Sequence, residues 1–189
     1  YVAPTYRQAK MIAWEMFIKI LNQAKGLVTK LNESELSIRL INGAMIELKG
    51  SDNPDSLRGV GLDGVVLDEW AMQEPVVWRE IIRPALSDRR GWSLFIGTPS
   101  GKNHFYELYN RAQSKYLFKS SETKILAVEE LASARADMTE DEFLQEYECE
   151  WLFHAGAVYK EFKRAEHVVK PFEIPKGWKL YLSIDYGQT

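Results

Sequence analysis

The sequence predicts an α/β protein whose mainly parallel sheet is flanked by helices, and three observations predict this fold class. Val65–Leu67 is a short β-branched run without polar alternation, which is typical of a strand buried on both faces. Trp92–Ile96 is a second run of this type. Segments with helical periodicity separate the strands along the chain, as the crossover connections of a parallel sheet require.

The composition is that of an ordinary globular chain. It has 189 residues, of which 46% are hydrophobic and 27% charged, and this suggests one full domain with a piece of a second. The net charge of −3 leaves only a local patch for any contact with nucleic acid. A single cysteine, Cys149, excludes an internal disulfide, and no apolar run approaches the roughly 20 residues that span a membrane. We therefore expect an intracellular, reducing compartment.

The amino-terminal half begins with a strand and a long helix. Tyr1–Pro4 is typical of the end of a strand, and Thr5 with Gln8 predicts a capping box at the start of the helix. Gly26 suits a left-handed stop to that helix. Asn42-Gly43 predicts a hairpin turn with positive φ at both positions. The strands expected around that turn are Leu27–Leu31, Leu36–Ile41 and Ala44–Lys49, and a polar loop is expected at Gly50–Asp63.

The second half alternates helices with strands. Pro75 suits the first turn of a helix, and Pro84 is expected to kink or end it. Asn103 suits a helix cap, and Thr139 with Glu142 predicts a second capping box. The other elements expected here are a helix through Ala112, a strand at Tyr116–Ser120, helices at Val128–Ala136 and Thr139–Leu152, and a strand at Leu180–Ile184.

Two neighbouring acids, Asp68 and Glu69, follow the first buried strand directly. A parallel strand delivers its last residues to the carboxyl edge of the sheet, where open α/β folds bind ligands. Asp68 can hold a hydrated Mg²⁺ there, and Glu69 can polarise a water for attack on a phosphate. This is the Walker B pattern of an ATPase with a catalytic glutamate. The alternative is a buried strand that ends in a solvated acidic turn.

Two further residues are candidates for the same site. Thr98 follows the second buried strand and offers a hydroxyl at the same sheet edge, although the motif also fits a plain strand-to-turn junction. Arg58 lies on a polar loop ten residues before Asp68 and could reach the nucleotide of a neighbouring subunit as an arginine finger. Its alternative is a solvated loop arginine.

The ends of the chain suggest a fragment of a longer polypeptide. No Gly-x-x-x-x-Gly-Lys-Ser/Thr phosphate loop occurs in the chain, and its expected place is upstream of Tyr1. Asp185 ends the last expected strand and could be the first ligand of a paired Mg²⁺ or Mn²⁺ site in a nuclease. We expect an incomplete ATPase domain at 1–153, a proline-containing linker at 154–178 and the start of a second domain at 179–189.

The order of these parts resembles the large subunit of the terminase of tailed bacteriophages, the motor that packages viral DNA. Each part alone is a weak signal, but together they cover almost the whole chain in the family's order. The residues that carry the resemblance are Tyr1-Val2-Ala3-Pro4-Thr5 with Gln8-Ala9, Ser56-Leu57-Arg58-Gly59, Val65-Val66-Leu67-Asp68-Glu69, Gly97-Thr98-Pro99-Ser100-Gly101 with Asn103-His104-Phe105-Tyr106, Gln145-Glu146-Tyr147 with Glu150-Trp151, and Ile184-Asp185-Tyr186-Gly187.

The resemblance implies a P-loop ATPase domain of the additional-strand catalytic-glutamate class, followed by a ribonuclease-H-like nuclease domain. Asp68 is then the Walker B magnesium residue, Glu69 the catalytic base and Thr98 part of the motif that couples hydrolysis to movement. Arg58 matches an arginine that acts across subunits, and Asp185 matches the first metal-binding acid of the nuclease. The implied cofactors are ATP and Mg²⁺, with Mg²⁺ or Mn²⁺ for the nuclease.

The resemblance also implies partners and a setting. Double-stranded DNA, the portal ring, a small terminase subunit and other copies of the chain in a ring are the expected partners, with no membrane. The expected location is the cytoplasm of an infected bacterial host, or of one that carries the gene in a prophage. The fragment alone should bind nucleotide poorly and should not cut DNA.

Two alternatives remain open from the sequence. A helicase or another DNA translocase of the same ATPase class also has an Asp-Glu strand followed by a Ser/Thr motif. An inactive remnant that serves as a binding module would keep the fold without the phosphate loop.

Overall fold

A computed structural model describes residues 1–24, 26–152, 164–179 and 181. The chain divides into two compact units, 1–155 and 156–189, and the architecture below is that of the first. In the second unit, the described residues include one helical turn, Arg164–His167. No helix among the described residues combines the length and apolar character needed to cross a membrane. The strand expected at Leu180–Ile184, and Asp185 after it, lie outside the described residues.

In the described part of the chain, seven short strands form two sheets. They are β1 Val2–Ala3, β2 Val28–Asn32, β3 Ser37–Leu40, β4 Met45–Glu47, β5 Lys49–Gly50, β6 Gly64–Leu67 and β7 Trp92–Phe95. The larger sheet has the order β5-β1-β6-β7, and all of its described pairings are parallel. The smaller sheet, β2-β3-β4, is antiparallel. The expected parallel sheet with an antiparallel excursion is confirmed.

The described residues form eight α-helices, the first three between strands and the rest after β7. They are α1 Tyr6–Gln8, α2 Glu15–Gln23, α3 Arg83–Ser87, α4 His104–Arg111, α5 Ser120–Thr123, α6 Val128–Asp137, α7 Glu140–Glu146 and α8 Arg164–His167, with π-helical segments at Ala9–Trp14 and Val77–Ile82 and 3₁₀ turns at Pro54–Leu57 and Trp70–Met72. The first π-helical segment joins α1 to α2, so the long amino-terminal helix is confirmed. Pro84 does not end its helix, which changes from π-helical to α-helical geometry one residue earlier.

Side chains at the helix starts act largely as the sequence predicts. Thr5 Oγ1 accepts a hydrogen bond from the backbone N–H of Gln8 at 3.2 Å, but the Gln8 side chain contacts that hydroxyl rather than the backbone, so only half of this capping box forms. Thr139 and Glu142 form the complete box. Asn103 caps α4 by accepting from the N–H of Phe105 at 2.9 Å.

The hairpin is confirmed, but its turn differs from the expected one. Gly43 has a positive φ, of 83°, whereas Asn42 does not and uses its side chain to accept from the N–H of Ala44 at 3.0 Å. The N–H of Leu40 donates to the carbonyl of Ala44, which leaves three residues in the loop. A three-residue loop needs one left-handed position rather than the two of the tightest hairpin turn.

The expected third strand, Ala44–Lys49, divides between the two sheets. β4 pairs with β3, while β5 leaves the hairpin and pairs with β1. Leu48 lies between the two strands and is fully buried. The chain thus passes from one sheet to the other at Leu48, and the burial of this side chain, rather than a turn motif, determines where it does so.

Two predictions for the second half were wrong. The segment Tyr116–Ser120 is not a strand: it is irregular until Ser120, where α5 begins. Tyr116 and Phe118 stack on each other and are more than 70% exposed. Aromatic residues favour strands when they pack against neighbouring side chains, and these two have no such packing. The helix expected at Thr139–Leu152 ends at Glu146. Cys149 adopts a left-handed φ of 54°, which is incompatible with further helix.

The parallel sheet separates two hydrophobic clusters. Val2, Val65 and Leu67 belong to the cluster that packs against the helical segments Val77–Ile82 and Arg83–Ser87. The cluster on the other side contains Ala3, Ala9, Ala13, Trp14, Leu36, Ile38 and Leu48. The prediction that Trp92–Ile96 is buried on both faces was wrong. β7 lies at the edge of the described sheet, and its Trp92 and Leu94 are 60% and 48% exposed, whereas Phe95 packs against the first cluster.

The central strand should carry the stability of this unit. Leu67 is fully buried in β6, so we expect Leu67→Ala to lower the free energy of unfolding by about 2–5 kcal/mol through lost burial and a residual cavity. Leu94→Ala, in the neighbouring strand, removes the same atoms from a half-exposed position and should cost less than about 1 kcal/mol. Urea denaturation measures both; equal losses would contradict the placement of Leu67 in the core.

Candidate functional site

The acidic pair lies where three parallel strands end side by side. The N–H of Asp68 donates to the carbonyl of Val2 at 2.9 Å, which ties the end of β6 to β1. On the other side, the N–H of Trp70 donates to the carbonyl of Ile96 at 2.9 Å, and Ile96 donates to Leu67 at 2.9 Å. Asp68 and Glu69 are therefore held between the first strand and the chain that leaves β7.

The carboxylate of Asp68 is half-buried and has a donor at each oxygen. Oδ1 accepts from the N–H of Glu69 at 3.0 Å, and Oδ2 accepts a hydrogen bond from the hydroxyl of Tyr1. Its backbone is held by Gln73, which is 3% exposed and donates through Nε2 to the carbonyls of Asp68 at 2.7 Å and Val2 at 3.2 Å. These contacts leave the carboxylate little freedom to rotate.

Glu69 occupies a strained backbone position beside this carboxylate. Its φ of 49° and ψ of 46° are left-handed, a region that a glutamate visits at a cost. Burial and then the charge of Asp68 raise the pKa of the Glu69 carboxyl, while a hydrogen bond from the backbone of Thr98 lowers it. The more distant charge of Glu146 raises it as well. A carboxylate with a raised pKa is a stronger base than an exposed glutamate.

Thr98 reaches Glu69 because the preceding residue is a glycine. Gly97 has a φ of 155°, and a Cβ there would lie 3.1 Å from the backbone nitrogen of Trp70 and 3.2 Å from the Cα of Glu69. Any side chain would push the two segments apart. The structure thus brings Asp68, Glu69 and Thr98 together, in agreement with the arrangement expected at the carboxyl edge of a parallel sheet.

Arg58 does not contact this cluster. Arg58 follows the 3₁₀ turn Pro54–Leu57, is half-exposed, and pairs with Asp55 at 3.0 Å between Nε and Oδ1. Asp185 lies outside the described residues.

Sequence reasoning missed the residues that support the acids. Tyr1 and Gln73 contact Asp68 directly, and no local pattern in the sequence marks either of them as a partner of the acids. The start of α4 also supports the turn after Glu69: the Nε2 atom of His104 lies 2.9 Å from the carbonyl of Trp70, and Asn103 donates to the carbonyl of Ala71 at 3.2 Å. The contact that His104 makes is structural.

The described residues contain no group of three or more histidine, cysteine, aspartate or glutamate side chains that could hold a metal ion by themselves. Asp68 instead offers one preoriented carboxylate. This suits Mg²⁺, which keeps several waters and is commonly bound by one or two carboxylates together with the phosphates of a substrate.

The left-handed backbone at Glu69 gives a stability prediction. Glu69→Gly and Glu69→Ala both remove the carboxylate and differ only in the Cβ atom. Because an L side chain is disfavoured at this φ, we expect the glycine variant to be more stable than the alanine variant by about 1 kcal/mol in urea denaturation. An alanine variant of equal or greater stability would contradict the left-handed geometry.

Comparison with known proteins places this chain in a family. A family model described as the terminase large subunit, T4likevirus-type, N-terminal, matches residues 1–166. The terminase large subunit of Thermus virus P23-45 is 38% identical over 125 residues, which cover 57% of this chain and 26% of that protein. The large subunit of Escherichia phage T5 is 29% identical in an alignment 207 positions long, which covers 98% of this chain and 46% of that protein. The chain thus spans less than half the length of these relatives.

Solved structures give the same result. The large terminase ATPase domain of Thermus phage P74-26 superposes with a TM-score of 0.65 at 31% identity, covering 80% of this chain and 75% of that domain. The large terminase of a thermophilic bacteriophage, in complex with ADP, superposes with a TM-score of 0.62 over 92% of this chain and 45% of that chain. At 16% identity, this second likeness shows the fold alone. The parallel sheet, the family model and these relatives agree, and the chain belongs to the terminase large-subunit family.

Proposed function

We propose that this chain is part of the ATPase domain of a viral DNA-packaging motor, which hydrolyses ATP to move double-stranded DNA into a capsid. The observation that carries the proposal is the geometry at one edge of the parallel sheet, where the chain at Ile96 and Gly97 lies against Glu69 and Trp70, beside the Asp68 carboxylate held by two donors. The family adds support, since the similar P74-26 protein is an ATPase domain. The large terminase of the thermophilic bacteriophage has been solved with ADP and with ATP-γ-S.

In this proposal Asp68 binds the nucleotide's magnesium. Its carboxylate would hold the hydrated ion, and the two groups that donate hydrogen bonds to it keep it in one orientation. Mg²⁺ would neutralise charge on the phosphates during transfer of the terminal phosphoryl group. A cation here would also offset the repulsion between Asp68 and Glu69 that raises the pKa of Glu69.

Glu69 is the proposed catalytic base. Its carboxylate is half-buried and its pKa is raised, and both features increase its affinity for a proton from the attacking water. The left-handed backbone aims the side chain away from the regular path of β6, and Trp70–Met72 fixes that turn. Glu69 can thus orient a water while Asp68 holds the cation.

Thr98 is proposed to couple hydrolysis to movement. Its backbone N–H is one of the groups that set the pKa of Glu69. A shift of the segment Gly97–Pro99 would therefore change both the position and the basicity of the proposed base. The segment leads into α4. Asn103 and His104, at the start of that helix, contact the turn after Glu69, so a movement of α4 would also displace that turn.

Arg58 is proposed to act on a neighbouring copy in a ring. It is exposed, lies on a loop, and is held by an ion pair with an exposed aspartate, which costs little to break. Such a guanidinium is free to exchange Asp55 for the phosphates of another subunit's nucleotide. Its separation from the acidic pair is expected for a residue that completes a different subunit's site.

The remaining parts of the proposal concern the intact protein. We propose that residues 1–153 are ATPase domain, 154–178 a linker and 179–189 the start of a metal-dependent nuclease that cuts concatemeric DNA, with Asp185 as a ligand of Mg²⁺ or Mn²⁺. The portal ring, a small terminase subunit and further copies of the chain are the proposed partners, in the cytoplasm of an infected host. This chain alone should be inactive.

Glu69→Gln in the intact terminase tests the central assignment. Because the amide keeps the shape of the side chain but cannot accept a proton, we expect ATP binding to stay within about twofold and steady-state hydrolysis to fall by at least about 100-fold. Glu74→Gln, an exposed position five residues later, is the matched control and should leave hydrolysis unchanged. Unchanged turnover in the Glu69 variant would remove it from the role of base.

Arg58→Ala tests action across subunits. In assembled motors we expect hydrolysis to fall by about 1,000-fold, the scale of a lost arginine finger, with nucleotide binding by the monomer unchanged. Arg89→Ala removes another exposed arginine that pairs with an aspartate, Asp63 at 2.7 Å, and should have no effect. An equal loss of hydrolysis in verified monomers of the Arg58 variant would contradict action in trans.

A further inference from the structure

Tyr1 occupies an unusual position relative to the proposed magnesium residue. Val2 pairs with Leu67 in parallel register, so the residues on either side of that pair project to the same face of the sheet. This places the Tyr1 side chain on the face of Asp68, where its hydroxyl donates to Oδ2. The two residues are 67 positions apart in the chain and meet only through the pairing of β1 with β6.

The backbone of Tyr1 is fixed as firmly as its side chain. Its nitrogen donates to the carbonyl of Glu47 at 2.9 Å, and its carbonyl accepts from the N–H of Lys49 at 2.9 Å. The ring therefore extends from an anchored strand and reaches Asp68 from one direction only.

Tyr1 and the N–H of Glu69 divide the Asp68 carboxylate between them. Each oxygen accepts one hydrogen bond and keeps a second lone pair for another partner. Without the hydroxyl, Oδ1 alone would be held, and the carboxylate could rotate about its broad terminal torsion. Partners of this kind commonly orient the carboxylates that bind metals.

We propose that Tyr1 is a positioning residue that holds the Asp68 carboxylate in the orientation needed to bind the magnesium of the bound nucleotide. The inference rests on the proposed function, because it concerns the same site. It adds Tyr1, a residue outside the acidic motif, to that site. Tyr1 should contribute to the part of the nucleotide affinity that depends on Mg²⁺ and not to the part that is independent of it.

Tyr1→Phe in the intact terminase tests this role against a matched control. Tyr6→Phe also deletes one hydroxyl. In the wild type this hydroxyl donates to the carbonyl of Ser34, at a distance of 2.7 Å, and does not contact the acids. Binding of a fluorescent ADP or of ATP-γ-S is measured with Mg²⁺ and with EDTA. We expect the Tyr1 variant to need at least about tenfold more Mg²⁺ for half-maximal enhancement of nucleotide affinity, with unchanged affinity in EDTA. The Tyr6 variant should match the wild type in both conditions.

Three results would overturn the inference, and they are distinguishable. A Tyr1 variant with wild-type magnesium dependence shows that the hydroxyl does not position Asp68. A variant that loses affinity equally with Mg²⁺ and EDTA, together with a lowered thermal midpoint relative to Tyr6→Phe, shows a purely structural tyrosine. Wild-type protein whose nucleotide binding does not depend on magnesium contradicts the proposed function itself, and the inference with it.

Discussion

The parallel register of β1, β6 and β7 is the constraint on which the site depends. Val2 pairs with Leu67, and Leu67 pairs with Phe95, so three chain segments end at the same edge. A shift of one residue in either pairing would exchange the two faces of a strand and turn Asp68 toward the hydrophobic cluster around Leu67. Because burying a carboxylate there is costly, the register that keeps Leu67 in the core also keeps Asp68 at the site.

The site holds two acids together by supplying donors to both. Asp68 receives a backbone N–H and a phenol, and Glu69 receives the backbone N–H of Thr98. These contacts offset part of the repulsion between the carboxylates, but the pKa of Glu69 stays raised. The left-handed backbone at Glu69 adds strain at the same point. The repulsion from Asp68 and the backbone strain are thus both located at Glu69, the proposed catalytic base, and functional residues are where proteins most often retain such strain.

The sequence predicts the parts of the site that local patterns encode. A β-branched run followed by two acids, and a second strand followed by Gly97 and Thr98, were enough to place both at one edge, because parallel strands share a direction. The capping residues and the hairpin were predictable for the same local reason, although the turn has only one left-handed position.

Longer-range features were not predictable in this way. The contact of Tyr1 with Asp68, and the clamp that Gln73 makes between two strands, exist only once the register is set. The short strand β5 was missed because two residues carry no periodicity, and its partner lies far away in the sequence. The wrong strand at Tyr116–Ser120 shows the reverse error: strand propensity without a surface to pack against.

The pairing of β1 with β6 also bears on the order in which the protein can fold. α1, α2 and the antiparallel hairpin are built from neighbouring residues and can form early, whereas the parallel sheet must close long loops before any of its bonds is made. During synthesis, the acids cannot take up their final positions until the chain has been made past β7. Assembly of the acidic pair thus depends on the slowest class of contacts in the domain, and an incomplete nascent chain has no assembled site to expose.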